Sequence, residues 1–260
     1  MIEQVPILEV RGIFKKYKRS GIVKTALNGV SIQLRPSEIL GVVGESGCGK
    51  STLLRQMSCQ ERPESGDVLL CGESVIGKST PDVCQSIQMV FQDALASFDP
   101  RMRVSASIDE ALKHLTELRG DALTLRREEL IRMVGLSPDL AERYPVRLSG
   151  GQCQRLAVAR ALAAQPKVLL CDEVTSALDV SAQAQIVRLL AQLRAELGLS
   201  IVFVSHDLAL VGSLCDRIVV MRDGYVVEQG AASEVLSSPK SDYTKQLLAS
   251  VYTTKNSAET

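Results

Sequence analysis

Apolar positions along the chain recur with two different periods. Ile7–Ile13 and Thr25–Leu34 alternate in part and are rich in β-branched residues, which predicts two strands. A basic stretch, Lys15–Arg19, lies between them. Glu38–Val43 is a short apolar run that ends in a glycine-rich turn, and Lys50–Cys59 after it has helical spacing. Strand patterns return at Asp67–Cys71 and Ile87–Phe91. From about residue 97 to residue 165 the period is helical, clearest at Val104–Leu118 and Leu125–Val134, with Pro138 and Pro145 as breaks. Lys167–Cys171, Ser200–Val204 and Ile218–Met221 then read as apolar strands, and Asp179–Leu197 as an amphipathic helix. Buried strands alternating with helices predict an α/β fold with a parallel sheet covered on both faces. The helical block at 97–165 reads as an insertion into it. One domain is expected over residues 1–250, with a polar, disordered tail at 251–260.

Composition narrows the class. The 260 residues are 45% hydrophobic and 23% charged, enough to bury a sizeable core. Basic and acidic residues balance at 30 each, which gives no nucleic-acid footprint and no polybasic membrane patch. No window approaches the roughly 18 consecutive apolar residues of a spanning helix. Met1–Gln4 lacks the basic start and apolar core of a signal peptide. The seven cysteines are scattered without a CxxC pair, so reduced thiols in a cytosolic protein are expected rather than a disulfide framework or metal site.

Candidate chemistry begins at Gly44-Glu45-Ser46-Gly47-Cys48-Gly49-Lys50-Ser51, which fits G-x-x-x-x-G-K-[ST]. A strand precedes it and a helix follows, the context such a loop needs to cradle phosphates. Glycines let the backbone curl so that successive N–H groups face a β-phosphate, and the helix adds its positive dipole end. Lys50 is assigned to the β- and γ-phosphates and the Ser51 hydroxyl to Mg²⁺, with Thr52 counted among the nucleotide contacts. Cys48 has two readings, a thiol activated by the helix N-terminus or a small residue in a crowded loop, and the second is favoured.

The apolar run at 167–171 ends in Asp172-Glu173. A buried strand that delivers acids at its C-terminal end places them at the ligand edge of a parallel sheet. Asp172 suits Mg²⁺, and Glu173 suits a base that orients and deprotonates an attacking water.

Leu148-Ser149-Gly150-Gly151-Gln152 resembles the signature motif of ABC ATPases. Ser176-Ala177-Leu178-Asp179 resembles their D-loop, Ser205-His206-Asp207 their switch-histidine segment, and Gln92 their Q-loop glutamine. The resemblance covers nearly the whole chain. It implies a P-loop NTPase fold of the ABC type: a mostly parallel RecA-like core, an N-terminal antiparallel β subdomain and an inserted helical subdomain. It also implies head-to-tail pairing, with each ATP sandwiched between two subunits. Ser149, Gly150, Gly151 and Gln152 would then open a helix running to about Ala164 and meet the γ-phosphate of the partner's ATP. His206 would contact the γ-phosphate, Asp179 would bridge to the opposing phosphate loop, and Gln92 would sense Mg²⁺ and the attacking water. Tyr17 is the candidate adenine-stacking ring, with Phe14 as competitor.

A lone cassette without spanning helices resembles importers with separate permease chains. Phe91–Met102 and the tail Ser238–Leu248 resemble the oligopeptide, dipeptide and nickel uptake family, although Lys240-Ser241-Asp242 departs from its usual His-Pro. The resemblance implies an ATPase bound peripherally at the cytoplasmic face of the inner membrane, working with a second ATPase chain, two permease subunits and, indirectly, a solute-binding protein. Nickel or a short peptide is the expected cargo. With no cysteine after Cys215, no iron–sulfur cluster is expected. The alternatives are an exporter half, a soluble DNA- or translation-type ABC ATPase, and an unrelated P-loop kinase or GTPase. The last would lack the signature motif.

Overall fold

A computed structural model describes residues 5–19, 22–78 and 81–256. Met1–Gln4, where a signal peptide would begin, lies outside them. In chain order the first elements are β1 (Leu8–Arg19), β2 (Ile22–Leu34), β3 (Ile39–Val43), α1 (Lys50–Met57), β4 (Ser65–Leu70) and β5 (Glu73–Ser74). Next come α2 (Pro81–Ser86), β6 (Ile87–Val90), α3 (Val104–Leu115), α4 (Gly120–Met133), α5 (Gly150–Leu162), β7 (Val168–Asp172) and α6 (Val180–Leu197). The last are β8 (Ser200–Val204), α7 (Leu208–Leu214), β9 (Arg217–Arg222), β10 (Tyr225–Ala231), α8 (Ala232–Ser237) and α9 (Asp242–Asn256). Residues 79–199 form one compact unit, and the chain on either side of them forms the other.

The unit built from both ends of the chain holds two sheets. One is antiparallel, in the order β2-β1-β4-β5. In the other, β9, β3 and β8 run parallel and β10 adds an antiparallel edge. All five residues of β3 and all five of β8 are buried, which is why both appear in the sequence as unbroken apolar runs. β1 is longer than the alternation suggested. Lys15–Arg19 is the second half of the strand, paired with Ile22–Leu27. Its lysines suit an exposed hairpin: the Lys15 ammonium pairs with Glu61 at 3.3 Å while Lys16 and Lys18 face solvent.

In the unit at 79–199, β6 and β7 pair in parallel and α3, α4 and α5 pack on one another. Val104, Ile108, Leu112, Leu130, Ile131 and Leu156 are fully buried and form the centre of the helical part. Arg127 and Asp109 pair at 2.6 Å between α4 and α3. The segment after β6 is fastened by Arg160 of α5. Its guanidinium stacks 4.5 Å from the Phe98 ring centroid and donates to the Ser97 carbonyl at 2.7 Å.

The sequence pattern passed over β10, α7 and α9. The final helix runs through Asn256, beyond residue 251 where the polar composition suggests a tail. Residues 257–260 of that tail lie outside the described residues.

Candidate functional site

The phosphate loop joins β3 to α1. Three of its glycines have positive φ: Gly44 at 149°, Gly47 at 80° and Gly49 at 115°. A Cβ at Gly44 would lie 2.2 Å from the Met221 carbonyl oxygen, and one at Gly49 would lie 2.4 Å from that of Ala26. Neither position accepts a side chain, because the loop is pressed against β2 and β9. The turn after β9 adds a further tie: Gly224 N–H donates to the Cys48 carbonyl at 2.9 Å. Within this brace Glu45, Ser46 and Gly47 face solvent, Gly49, Ser51 and Thr52 are half-buried, and Lys50 is only 5% exposed. The Lys50 ammonium donates to the carbonyls of Gly44 at 2.8 Å and Glu45 at 3.0 Å. A buried cation held across a curl of backbone N–H groups suits a polyphosphate.

Cys48 is buried, and burial raises its thiol pKa against the pull of the Lys50 charge. Burial of Cys48 argues against an activated thiol. Tyr17 is half-buried; its hydroxyl donates to Glu61 at 2.6 Å, and the Lys15 ammonium lies 5.4 Å from its ring centroid. Phe14 instead packs its ring edge against Gly29, 3.2 Å from where a Cβ would stand. His206, between β8 and α7, is exposed; Asp207 beside it caps α7 by accepting from Ala209 and Leu210.

The unit at 79–199 carries the acids and the signature segment. Asp172 ends β7, and Glu173 follows with φ of 48°, a left-handed conformation that few non-glycine residues adopt. Both carboxylates are half-buried. The Ser176 hydroxyl donates to the Glu173 carbonyl at 2.9 Å and accepts from Gln92 Nε2 at 3.1 Å. Gln92 is thus tied through one hydroxyl to the backbone of the candidate base. Ser176, read in the sequence only as part of the D-loop, is the connecting residue.

Ser149 caps α5 with a complete capping box. Its Oγ accepts from Gln152 N–H at 3.2 Å, and Gln152 Oε1 accepts from Ser149 N–H at 3.0 Å. Ser149 and Gly150 are exposed, Gly151 and Gln152 half-buried. A Cβ at Gly151 would come within 3.1 Å of Ala182 Cβ, so the glycine admits α6 closely. Asp179 caps α6, accepting from Ala182 N–H at 2.8 Å. A cavity of about 510 Å³ opens beside this segment, lined among others by Gln92, Leu95, Gly150 and Leu178.

The loop, its lysine and the strand–loop–helix context define a P-loop nucleotide-binding protein. The ABC transporter family matches residues 27–176, more than half of the chain. The oligopeptide transport ATP-binding protein OppF of Salmonella typhimurium is 46% identical over 230 residues, 87% of this chain and 69% of the relative. OppD of Mycobacterium tuberculosis is 43% identical over 94% of this chain and 42% of its own length. The glutathione import ATP-binding protein GsiA of Salmonella typhi is 41% identical over 96% of this chain and 42% of its own. Among solved structures, the ATP-binding cassette MJ0796, a dimer in a post-hydrolysis state with ADP and Pi, superposes with a TM-score of 0.79 at 29% identity. That match covers 86% of this chain and 98% of that one. The chain belongs to the ABC transporter family, and its fold is that of the ABC ATPase cassettes. Among the described residues no helix is long and apolar enough to cross a membrane.

Proposed function

We propose that this chain is the ATP-binding and hydrolysing subunit of a bacterial ABC importer, driving uptake through separate permease subunits from the cytoplasmic face of the membrane. The observation that carries the reading is the braced phosphate loop, with a buried Lys50 held on two of its own carbonyls. In this reading Lys50 and the loop N–H groups of residues 45–51 hold the phosphates, and Tyr17 stacks on adenine. Glu173 takes a proton from the attacking water as its oxygen adds to the γ-phosphorus and the bond to the β-phosphate oxygen breaks. His206 contacts the γ-phosphate from the switch segment. Ser51, Asp172 and Gln92 offer a hydroxyl, a carboxylate and an amide oxygen, a set of hard oxygen donors that fits Mg²⁺. The ion would neutralise charge on the β- and γ-phosphates.

The exposed, capped start of α5 supports head-to-tail pairing. The N–H groups of Gly150 and Gly151 at that helix start have the chemistry of an anion site, which a second ATPase chain would bring to its partner's ATP. Asp179 would bridge to the opposing loop. The names OppF, OppD and GsiA speak for a peptide-class cargo rather than a nickel chelate, with a solute-binding protein delivering it. The test is Glu173→Gln. ATP binding is retained, turnover falls about 10²- to 10⁴-fold, and an ATP-bound dimer accumulates in size-exclusion chromatography. Wild-type turnover in this variant removes Glu173 from the role of base.

A further inference from the structure

The tail segment Ser238–Leu248 takes no part in the hydrolysis chemistry, yet it reaches the phosphate loop. Its start is fastened to β10, where the Glu228 carboxylate accepts the N–H groups of Lys240 at 2.8 Å and Ser241 at 3.0 Å. In the first turn of α9, Tyr243 is 6% exposed. The Arg222 guanidinium lies 4.8 Å from its ring centroid. Its hydroxyl accepts the backbone N–H of Glu45 at 3.1 Å, joining residues 198 positions apart.

That N–H belongs to the Gly44–Glu45 peptide, whose carbonyl, on Gly44, accepts from the Lys50 ammonium at 2.8 Å. One planar peptide unit is therefore held at both ends, by Tyr243 at its N–H and by Lys50 at its C=O. Such a unit cannot rotate about its axis without breaking both bonds.

We propose that Tyr243 is a positioning residue for nucleotide binding: by holding the N–H end of the Gly44–Glu45 peptide it fixes the carbonyl that aims Lys50 at the phosphates. The idea rests on the phosphate loop being the ATP site, and it gives the C-terminal helix a direct part in nucleotide affinity.

Tyr243→Phe in the full chain keeps the ring and its stack on Arg222 and removes only the hydroxyl. The expected result is a rise of about three- to tenfold in the Kd for both ATP and ADP, the size of one lost hydrogen bond. The KM for ATP rises in step, while kcat at saturation changes by less than about twofold. An unchanged Kd overturns the proposal. So does a variant whose only defect is a lower melting temperature, with the folded fraction binding nucleotide as tightly as wild type. A wild-type chain that binds neither nucleotide defeats the ATPase reading itself, independently of Tyr243.

Discussion

The phosphate loop and the signature segment both present backbone N–H groups at the start of a helix, and they are supported in opposite ways. The loop at Gly44–Lys50 is braced mainly from outside itself: Ala26 and Met221 crowd it, Gly224 ties Cys48, and Tyr243 holds the Glu45 N–H, with the loop's own Lys50 on the Gly44 carbonyl. The segment at Ser149–Gln152 is braced by its own capping box and leaves Ser149 and Gly150 in solvent. A loop that holds nucleotide within its own subunit benefits from rigidity supplied by the surrounding fold. If the segment serves another subunit's ATP, as proposed, it has to hold its shape while standing exposed, and a local cap does that without burying it.

This contrast is broken most readily at Gly49. Alanine there has to take φ of 115° with its Cβ 2.4 Å from a carbonyl oxygen, so strain and overpacking add. The expected loss is about 3 kcal/mol of stability in urea denaturation, together with weakened nucleotide binding. A Gly49→Ala chain with wild-type stability and affinity would show that the brace does not constrain the loop.

Gly151→Ala should behave in the opposite manner. The new Cβ meets the end of a small side chain, Ala182, at 3.1 Å, and a helical glycine replaced by alanine recovers about 1 kcal/mol of propensity. Stability is therefore expected to stay within about 1 kcal/mol of wild type. Steady-state hydrolysis should nevertheless drop about tenfold or more, because relieving the 3.1 Å approach to Ala182 shifts the start of α5 and with it the N–H groups proposed to meet a partner's phosphate. A large stability loss with normal turnover would assign Gly151 to packing alone.

Ser149→Ala gives a smaller effect. It removes one half of the capping box and is expected to cost about 1 kcal/mol, read from the denaturation midpoint. Because Ser149 is an N-cap and a candidate phosphate ligand at once, hydrolysis should fall further than the stability loss explains. Ser149→Asp separates the roles: it retains the cap but sets a negative charge against phosphate, so stability returns while turnover does not.

How much of this was legible in the sequence follows from how local each feature is. β8 was read with its observed bounds, since an unbroken apolar run between a glycine and a polar turn leaves little choice. Asp179 was placed at the start of the helix it caps. The phosphate loop was legible because its function resides in consecutive residues. Lys15–Arg19 reads in the sequence only as a basic stretch between two strands; it is strand itself, because a hairpin tolerates lysines on its open face. Ser176 and Tyr243 were visible only as members of motifs. Their partners, Gln92 and Glu45, are 84 and 198 residues away, and no local period encodes such a pairing.

The smallest expected effect tests whether the brace on the phosphate loop extends to the seat of α9. At Glu228, burial opposes the charge, but hydrogen bonds to the carboxylate, the Lys240 N–H first among them, outweigh it and hold the carboxyl below its usual range. A carboxylate lowered by folding stabilises the native state at pH values above its unfolded pKa. That contribution is lost as pH falls through the folded value. Wild type should therefore melt slightly above Glu228→Gln at pH 7, by about 1–3 °C, and the gap should close as pH falls below the usual glutamate range and through the lowered folded value. If the seat of α9 is part of the brace, Glu228→Gln also weakens ATP binding, by less than Tyr243→Phe does, and its deficit shrinks over the same acid range. A gap in melting temperature that does not narrow at all as pH falls through the acid range would mean that Glu228 acts by shape rather than charge. An ATP affinity untouched at pH 7 would confine the brace to Tyr243.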